Sequence, residues 1–476
     1  MKDYLYKSFD YVGNGIEFLN LFGNDPCLFF LDSSQYHPQR GRYSFIGFDP
    51  FEIVCTKGEN SLEKLKERFA LYQNSFSEKV SPFASGIVGF LSYDYGLHEE
   101  RIPLRSLDDL KLPDCFFGFY DCILTIDHLK QRLHITSTGL PEKNSFLREK
   151  RASARLKEIL KRLSQPVGHL SPSAVSRFDP KRHDNFESRF VSNFTKDQYR
   201  EAVRKALDYI RSGDIYQVNL SQRFERECLG AHVHPVDIYT TLRRLSPSSF
   251  GAYFNCGEFQ IISSSPERFL RLKNKHVETR PMKGTRPRGD NECQDQRFKQ
   301  EILSSAKDKA ELLMITDLER NDLGKVCRYG TIHVSEMRTL EEYQTVFQTT
   351  STIEGVLKEW ADSFDLLKGC FPGGSITGCP KIRAMEIIEE LEPTRRGIYT
   401  GSMGYVNFNG NMDFNILIRT VLAYPQKLYF QVGAGIVADS IPENEYQETL
   451  VKAKAMSNAL ESLLPSPKYS ESKIIV

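Results

Sequence analysis

The sequence has almost no net charge and no long apolar run, and these two absences exclude several classes of protein. Its 63 lysines and arginines nearly balance 62 aspartates and glutamates, which leaves a formal charge of +1. Binding to nucleic acid or to an anionic membrane surface usually needs a basic excess, so we expect neither partner. The longest apolar runs, CLFFL and CILTI, are far shorter than the roughly 20 residues that span a bilayer. We therefore expect no membrane segment.

Paired cysteines and a secretion signal are also missing. The ten cysteines are scattered, with no CxxC pair and no zinc-ligand spacing. The first residues, MKDYLYKSFDYVGNG, contain no continuous apolar stretch of the kind that a signal peptide needs. These features predict reduced thiols and a cytoplasmic location. We interpret Cys379, the only cysteine in a motif-like loop, as a small packing residue.

What the sequence has is length and a change of pattern along the chain. Its 476 residues suffice for one large domain or for two to three ordinary ones, and they contain no internal repeat. Residues 1–163 are β-rich and end in a helix whose basic run we interpret as a solvated face. Residues 164–191 form a predicted Pro/Ser-rich linker, residues 192–465 alternate strands with longer helices, and residues 466–476 are a tail. The pattern predicts an α+β fold of two packed, mostly antiparallel sheets covered by helices.

Several helix boundaries can be predicted within the second segment. TKDQYREAVRKALDYIRSGD is amphipathic, with Thr195 as N-cap and Gly213 as its stop. The stretch NECQDQRFKQEILSSAKDKAELLMITDLERNDLGKV contains two helical segments, and PKIRAMEIIEELEP is a helix with Pro380 near its first turn. These helices are expected to cover the sheets.

Two pairs of carboxylates have helical spacing. Asp308 and Glu311 are three residues apart, as are Glu445 and Glu448, and Lys452 lies one turn beyond Glu448. Spacing alone favours surface carboxylates with an i,i+4 ion pair. The alternative is that the four side chains converge on Mg²⁺, which prefers a few carboxylates, retained water and an anionic substrate. Spacing does not show whether the two helices meet.

Two glycine-rich stretches could approach a ligand. Gly373, Gly374 and Gly378 lie in FPGGSITGCPKIRAM, a loop that runs into a helix N-terminus, where free N–H groups favour an anion. Cys-Pro follows the last glycine where a P-loop has Lys-Ser/Thr, so ATP binding is not expected. The glycines of 433–435, in YFQVGAGIV, allow backbone amides to approach a ligand closely or simply allow tight strand packing.

Long motifs in a fixed order resemble the chorismate-utilising enzymes. They are SPERF, AELLMITDLERNDLGKV, PGGSITGCPKIRAMEIIEELEP and GAGIVADSIPENEYQET, and the resemblance covers about residues 190–462. Upstream, GRYSFIGFDP and GIVGFLSYD resemble the N-terminal region of the anthranilate synthase and aminodeoxychorismate synthase branch. The family resemblance implies that chorismate is the substrate.

The resemblance also implies ligands for a cofactor and for the substrate. It implies Mg²⁺ held by Glu311 and Glu448, with Asp308 and Glu445 holding metal-bound water. Positions that hold the substrate in relatives correspond here to Gly284, Thr285, Tyr399, Arg419, Gly433, Ala434, Gly435 and Lys452.

Two positions discriminate among the activities of the family. Members that attack the ring with water have a lysine base where this chain has Gln217, and a glutamine cannot replace that base, so isochorismate and salicylate synthase activities are not expected. Anthranilate synthases generally have alanine where this chain has Lys283 in ETRPMKGTRPRGDN, whereas aminodeoxychorismate synthases resemble PMKGT. The resemblance therefore implies the large subunit of the aminodeoxychorismate synthase branch. Anthranilate synthase component I and a non-catalytic regulatory homologue that binds chorismate or tryptophan are the alternatives.

The same resemblance implies a transaminase-class mechanism. Lys283, with a lowered pKa, attacks ring carbon C2 while Glu267 protonates the departing C4 hydroxyl and Thr377 orients it. Ammonia then displaces the lysine at C4 and gives 4-amino-4-deoxychorismate, on the route to p-aminobenzoate and folate. Alternatively, Lys283 forms a salt bridge to a substrate carboxylate or is a solvated charge. Gln348 stands where many relatives have histidine, which favours keeping the enolpyruvyl group or reduces activity.

The N-terminal half suggests a second ligand, and the chain needs a source of ammonia. Ser33, Arg42, Tyr43 and Ser44 resemble the region that binds tryptophan in relatives, as an inhibitor or a structural ligand, or else they serve ordinary packing. We find no Cys-His-Glu pattern of a glutaminase. The resemblance thus implies a heterodimer with a separate amidotransferase subunit.

Overall fold

The computed structural model describes residues 4–37, 40–73, 80–165, 189–228, 233–343 and 346–464. The strands of these ranges, in chain order, are β1 (Leu5–Asp10), β2 (Phe29–Asp32), β3 (Tyr43–Gly47), β4 (Glu52–Thr56), β5 (Gly86–Leu91), β6 (Cys115–Tyr120), β7 (Cys122–Asp127), β8 (Arg132–Ser137), β9 (Val191–Ser192), β10 (Gln217–Glu227), β11 (Phe250–Asn255), β12 (Gln260–Ser265), β13 (Arg268–Lys273), β14 (His276–Thr279), β15 (Met282–Pro287), β16 (His333–Glu342), β17 (Val346–Val356), β18 (Gly378–Cys379), β19 (Ser402–Asn407), β20 (Met412–Ile416), β21 (Thr420–Ala423) and β22 (Lys427–Ile436).

The helices of the same ranges surround these strands. They are α1 (Ile16–Phe22), α2 (Ser61–Ala70), α3 (Tyr93–Glu99), α4 (Ser145–Leu163), α5 (Lys196–Arg211), α6 (Pro235–Leu245), α7 (Glu292–Ser304), α8 (Ala306–Val326), α9 (Ser363–Cys370), α10 (Lys381–Leu391) and α11 (Pro442–Glu461). Among them, no helix combines the length and the apolar character needed to cross a membrane.

The strands form two large antiparallel sheets. One has the order β1-β8-β7-β3-β2-β11-β12-β21-β22-β10-β18, with β9 beside β10. The other has the order β15-β17-β14-β13-β20-β19-β5-β6-β4, with β16 beside β17. This architecture confirms the predicted α+β fold of two mostly antiparallel sheets covered by helices.

Strands from both ends of the chain share each sheet. In the first sheet, β2 pairs with β11, which joins Phe30 to Tyr253, and in the second sheet β5 pairs with β19, which joins Val88 to Tyr405. The division into 1–163 and 192–465 remains a prediction about the sequence. Most of the predicted linker and the whole predicted tail lie outside the described residues.

Local boundaries follow the predicted signals. Thr195 caps α5 by accepting a hydrogen bond from the Gln198 amide, and the glutamine side chain completes a capping box. Gly213 follows the end of this helix with φ +81°, a left-handed conformation that suits glycine. Ser305 separates α7 from α8 and caps the latter, and Pro380 directly precedes α10. The two helical segments predicted between 291 and 326 are therefore confirmed.

The prediction of strands and turns alone in the N-terminal region was incomplete. Helices α1, α2 and α3 also lie there, and α2 buries Leu62, Leu65 and Phe69 at helical spacing. This signal was present in the sequence but spans only ten residues. The basic face of α4 also differs from the prediction, since Arg155 and Arg162 form ion pairs with acids of the preceding region.

Strand β22 connects the fold to the candidate site. The Ala434 side chain is fully buried in an apolar cluster with Val218 and Leu220 of β10. Because successive side chains of a strand alternate between its two faces, Gly433 and Gly435 lie on the opposite face. At these two positions that face has no side chain, and the Tyr399 hydroxyl and Asn219 Oδ1 approach the strand closely at Gly433.

Candidate active site

Lys283 lies on β15 at a break in the strand register. It pairs with Thr349 of β17, and Thr285 pairs with Gln348, so Gly284 is an extra residue between the two pairs. Gly284 has φ +73°, a conformation that glycine adopts without strain. Such a β-bulge re-aims the neighbouring side chain. The bulge therefore explains why a glycine follows Lys283 in PMKGT.

The Lys283 amine faces the glycine strand. A Cβ placed on Gly435 would lie 3.7 Å from Lys283 Nζ, and Nζ donates a hydrogen bond of 3.2 Å to the Ser375 carbonyl. Burial lowers the pKa of Lys283, an effect that the acid Glu311 opposes and the cation Lys452 reinforces. The side chain is thus a partly dehydrated amine, not a solvated loop charge.

Glu267 is a buried carboxyl next to this amine. Ser375 donates a hydrogen bond of 2.6 Å from its hydroxyl to Glu267 Oε1, and the glutamate is only 5% exposed. Burial raises its pKa to about 7, although Ser375, Lys283 and Arg419 act in the opposite direction. A carboxyl that titrates near neutrality can donate a proton at physiological pH.

In the glycine loop, the hydroxyl that contacts Glu267 belongs to Ser375, which the sequence interpretation missed, and not to the predicted Thr377. Thr377 donates its hydroxyl proton to the carbonyls of Gly373 (3.0 Å) and Gly374 (3.4 Å), and no hydrogen bond joins it to Glu267. Ser375, two residues earlier, contacts Glu267 with its side chain and Lys283 with its carbonyl. The role predicted for Thr377 remains a prediction. The signal for Ser375 was its place in the same GGSITG loop.

Buried amide groups without partners line the space beside β22. Gln217 is fully buried, yet neither its Nε2 nor its Oε1 has a hydrogen-bond partner, and Nε2 lies 3.2 Å from a Cβ placed on Gly435. Asn219 Oδ1 is also buried and unpartnered within the described part of the chain. Buried polar groups in folded proteins are normally satisfied, so these atoms indicate a place for a polar ligand. Asn219 could have been found because it lies two positions from Gln217 on one strand face.

Predicted carboxylate-binding residues surround the same space. Arg419 is partly buried, its backbone has φ +50°, and no hydrogen bond or salt bridge joins its guanidinium to another described residue. Burial lowers the pKa of Arg419, while Tyr343 and Glu267 raise it. Lys452 Nζ donates to the Gly433 carbonyl at 2.9 Å. A Cβ on this glycine would lie 2.9 Å from the Tyr399 hydroxyl.

The predicted metal carboxylates lie on α8 and α11. Burial raises the pKa of Glu311, and the cations Lys283 and Lys307 oppose this shift. The charges of Asp308, on the same helix, and of Glu448, on α11, add to it. Glu448 forms a 2.8 Å ion pair with Lys452; partial burial raises the pKa of this glutamate, but its lysine neighbours outweigh that effect and leave it below the usual value. Within the described ranges, no three acidic, histidine or cysteine side chains are grouped as a ready metal site.

The two carboxylates predicted to hold metal-bound water are fixed by other groups. Asp308 Oδ2 accepts a 3.0 Å hydrogen bond from Arg286, and its side chain also contacts the space above Gly284. Glu445 accepts a 2.7 Å hydrogen bond from Ser440. Burial raises the pKa of Glu445, and Ser440 lowers it.

Gln348 and Thr285 lie next to Lys283 on the paired strands. Gln348 Nε2 donates to Thr285 Oγ1 at 3.3 Å, whereas its Oε1 is buried without a partner. Thr285 itself is exposed. Gln348 is thus held by the bulged strand that carries the amine.

The residues predicted to bind tryptophan lie apart from these groups, at a cavity of about 980 Å³. Ser33, Arg42 and Tyr43 line this cavity. Ser33 donates to the Tyr43 carbonyl at 2.8 Å, and Arg42 forms two hydrogen bonds, of 3.0 and 2.7 Å, with Asp127. Ser44 is fully buried behind the cavity wall, where its hydroxyl contacts the amide of Ser33 at 3.0 Å.

Comparison with known proteins places this geometry in context. A family model described as chorismate binding enzyme matches residues 28–458. Aminodeoxychorismate synthase component 1 of Bacillus subtilis (strain 168) is 39% identical over 442 residues, which cover 88% of this chain and 90% of that protein. Anthranilate synthase component 1 of Thermus thermophilus is 39% identical over 456 residues, which cover 93% and 94%.

A solved structure has the same fold. The crystal structure of anthranilate synthase component I from Streptococcus pneumoniae TIGR4 matches with a TM-score of 0.75 and 32% identity, covering 89% of this chain and 93% of that chain. The matches extend over both sheets. Relatives with two different names have the same identity to this chain, so overall identity does not distinguish their reactions.

Proposed function

Since the chain belongs to the chorismate-binding enzyme family, we propose that it is the large subunit of an aminodeoxychorismate synthase. In this proposal it converts chorismate and ammonia to 4-amino-4-deoxychorismate, a precursor of p-aminobenzoate and folate. The observation that carries the proposal is the Lys283 amine, which is partly dehydrated, faces Gly435 and lies beside the protonatable Glu267. A solvated charge would have none of these features.

The side chains suit a covalent relay. Uncharged Lys283 attacks C2 of chorismate, both ring double bonds shift toward C4, and the C4 hydroxyl takes the Glu267 proton and leaves as water. Ammonia then attacks C4, both double bonds shift back, and the C2–N bond breaks to release the lysine amine. The Glu267 carboxylate takes a proton from the new ammonium, so the net change is chorismate plus ammonia to product plus water. Ser375 holds Glu267 in position throughout.

The unpartnered amide of Gln217 supports ammonia as the nucleophile. Ammonia has N–H groups that can donate to Gln217 Oε1, which is buried without a partner among the described residues, and its lone pair stays available for C4. A glutamine gives no base for activating water. Ammonia needs no such base, because it is already a nucleophile.

The donor set fits Mg²⁺, which binds through one or two carboxylates together with an anionic substrate. Glu311 and Glu448 would hold the ion, and Asp308 and Glu445 would hold its water. When bound, Mg²⁺ supplies positive charge for the ring carboxylate.

Chorismate has two carboxylates, and the chain offers cationic and hydroxyl donors for the second one. Arg419 has no hydrogen-bond or salt-bridge partner among the described residues, and Lys452 and Tyr399 lie at Gly433. Arginine and lysine in such a dehydrated space bind carboxylates through charged hydrogen bonds. Thr285 and the backbone of residues 433–435 complete the proposed substrate contacts.

Two further parts of the proposal concern partners. Ammonia would come from a separate amidotransferase subunit in a cytoplasmic heterodimer. The cavity of about 980 Å³ would hold tryptophan near Ser33, Arg42 and Tyr43, with Ser44 supporting its wall. Titration calorimetry with tryptophan tests the second part, because heat of binding that is lost in Arg42→Ala is expected.

The main test identifies the product. Purified protein is incubated with chorismate, Mg²⁺ and an ammonium salt, and the product is analysed by mass spectrometry, with Lys283→Ala and ammonium-free samples in parallel. We expect an amine on C4, a retained enolpyruvyl group, and no product from the variant. Anthranilate with pyruvate would instead show the alternative, which the Thermus relative favours through its equal identity. No Mg²⁺-dependent turnover would indicate a non-catalytic homologue.

A further inference from the structure

We propose that Glu319 is a positioning residue that works as a neutral carboxylic acid and fixes, through Thr279 and the Phe269 carbonyl, the strand β13 that directly follows Glu267. It rests on the proposed roles of Glu267 and Lys283. Glu319 lies on α8 and is 6% exposed. A Cβ placed on Gly374 would lie 3.4 Å from Glu319 Cγ. The glutamate thus packs directly behind the loop whose next residue holds Glu267.

A count of protons favours Glu319 as a donor. Thr279 Oγ1 lies 2.6 Å from the Phe269 carbonyl oxygen and 2.8 Å from Glu319 Oε2. A carbonyl can only accept, so the single hydroxyl proton of Thr279 goes to Phe269. The contact with Glu319 is a full hydrogen bond of its own if the carboxyl is protonated and donates to Thr279, whereas a carboxylate would have to share the single hydroxyl proton with Phe269. Two ordinary hydrogen bonds in series follow from this assignment.

The charges around Glu319 also favour the neutral form. Burial raises its pKa to about 8; Thr279 and Lys381 oppose this shift, and the acids Glu267 and Asp322 add to it. Lys381 is committed elsewhere, since its Nζ donates to Asp322 at 2.5 Å and to two carbonyls. Glu319 has no salt bridge with any described residue.

The remaining neighbours give Glu319 little polar contact. It faces a cavity of about 10 Å³, whose other walls include the Asp322 carboxylate, the Cys370 thiol and the apolar side chains of β13. That volume holds one water at most. A carboxylate there would remain poorly solvated, whereas a carboxylic acid satisfied by Thr279 fits.

The hydrogen-bond series ends on strands that adjoin both catalytic residues in the sequence. Phe269 follows Glu267 by two residues, and Thr279 precedes Lys283 by four, at the end of the strand that leads into β15. Loss of the Glu319 proton would require Thr279 to turn its only proton to the carboxylate and leave the Phe269 carbonyl unpaired. We therefore expect ionisation of Glu319 to increase the mobility of β13, the strand that directly follows Glu267.

The test compares Glu319→Gln with the unmutated protein from pH 5 to 9. Glutamine keeps a donor toward Thr279 and cannot ionise. Asp317→Asn, an exposed position on the same helix, is the matched control. The readouts are the rate of chorismate consumption with Mg²⁺ and ammonium, and the melting temperature. Chorismate consumption does not depend on which product forms, so an error in the proposed product would not affect this result.

We expect the two rates to be similar below pH 7 and the ratio of variant to unmutated kcat to rise to about tenfold at pH 9, as a single titration near 8 predicts. The raised pKa also predicts a stability change of defined sign. The unmutated protein should lose melting temperature relative to Glu319→Gln as the pH rises from 5 through 8, with no further change above. Asp317→Asn should follow the unmutated protein in both measurements.

Three results would overturn the proposal. Equal pH profiles in rate and melting temperature would mean that Glu319 does not hold a proton in the fold. A folded Glu319→Gln protein without activity at pH 7 would mean that the carboxyl takes part in the chemistry. If Glu319→Gln does not fold, the comparison is made at Thr279. There, Thr279→Val should lower kcat and remove the change in rate near pH 8, and Thr279→Ser should restore both the rate and its pH dependence. Failure of Thr279→Ser to restore them would be the third overturning result.

Discussion

In the described structure, polar side chains in the walls of the large cavity are paired with one another, whereas several polar side chains around Lys283 are not. At the cavity, Arg42 pairs with Asp127, and Asp32 accepts from both Arg243 and Tyr239. Around Lys283, the guanidinium of Arg419 and the amide of Gln217 have no such partners in the described structure. Polar groups satisfied by one another stabilise a fold, whereas buried polar groups left unsatisfied cost stability until a ligand pairs with them. The difference distinguishes the space around Lys283 from the large cavity more clearly than cavity size does.

The largest expected effect comes from removing the dehydrated amine of Lys283. Lys283→Met should reduce chorismate turnover by about 1000-fold or more, as loss of a catalytic nucleophile does. Its melting temperature should stay equal or rise, because a dehydrated amine is replaced by an apolar side chain of similar length. Steady-state kinetics and thermal melting test the two parts. A large drop in stability would show that Lys283 belongs with the satisfied scaffold groups.

The next effect concerns the proton on Glu267. Glu267→Gln should lower kcat by about 100- to 10,000-fold. Because the pKa of Glu267 is raised to about 7, the acid form is present below that pH and the unmutated rate should fall as pH rises through it. The stability contributed by the neutral carboxyl is likewise present at low pH and is lost through the same range. A variant profile that keeps the fall near pH 7 would assign that titration to another group.

Removing an arginine that is already paired should lower stability and leave substrate binding unchanged. Arg243→Met leaves Asp32 without its cation, and loss of one partner of a buried pair costs about 3–5 kcal/mol. Urea unfolding should show this loss, while KM for chorismate at a temperature where the variant is folded should not change. A changed KM would show that the cavity wall also contributes to chorismate binding.

The unsatisfied arginine should affect binding more than folding. Arg419→Met removes a charged hydrogen-bond donor worth about 1.5–3 kcal/mol, so KM for chorismate should rise roughly 10- to 100-fold. Its free energy of unfolding should change by less than that of Arg243→Met. The pair of variants tests the comparison directly, and equal destabilisation of both would refute it.

The sequence predicted what depends on near neighbours along the chain. The cap at Thr195, the break between α7 and α8, and the left-handed glycine after α5 all follow from local preferences. Contacts between distant segments could not be predicted in the same way. Ser375 reaches Glu267 across 108 residues, and the family motifs gave no reason to choose it over Thr377. The pairing of Arg42 with Asp127 was likewise hidden, because each residue alone is compatible with solvent or with a ligand.

The pairing of β2 with β11 has a consequence for how the chain folds during synthesis. About 220 residues separate the partners Phe30 and Tyr253, and a ribosome adds roughly 5–20 residues per second. The N-terminal strands therefore wait for on the order of 10–40 s with an open sheet edge before their neighbours exist. Such long-range pairing slows folding and leaves edges open to aggregation. We expect a truncated chain ending near residue 165 to aggregate, which makes chaperone supply the first variable to adjust in producing this protein.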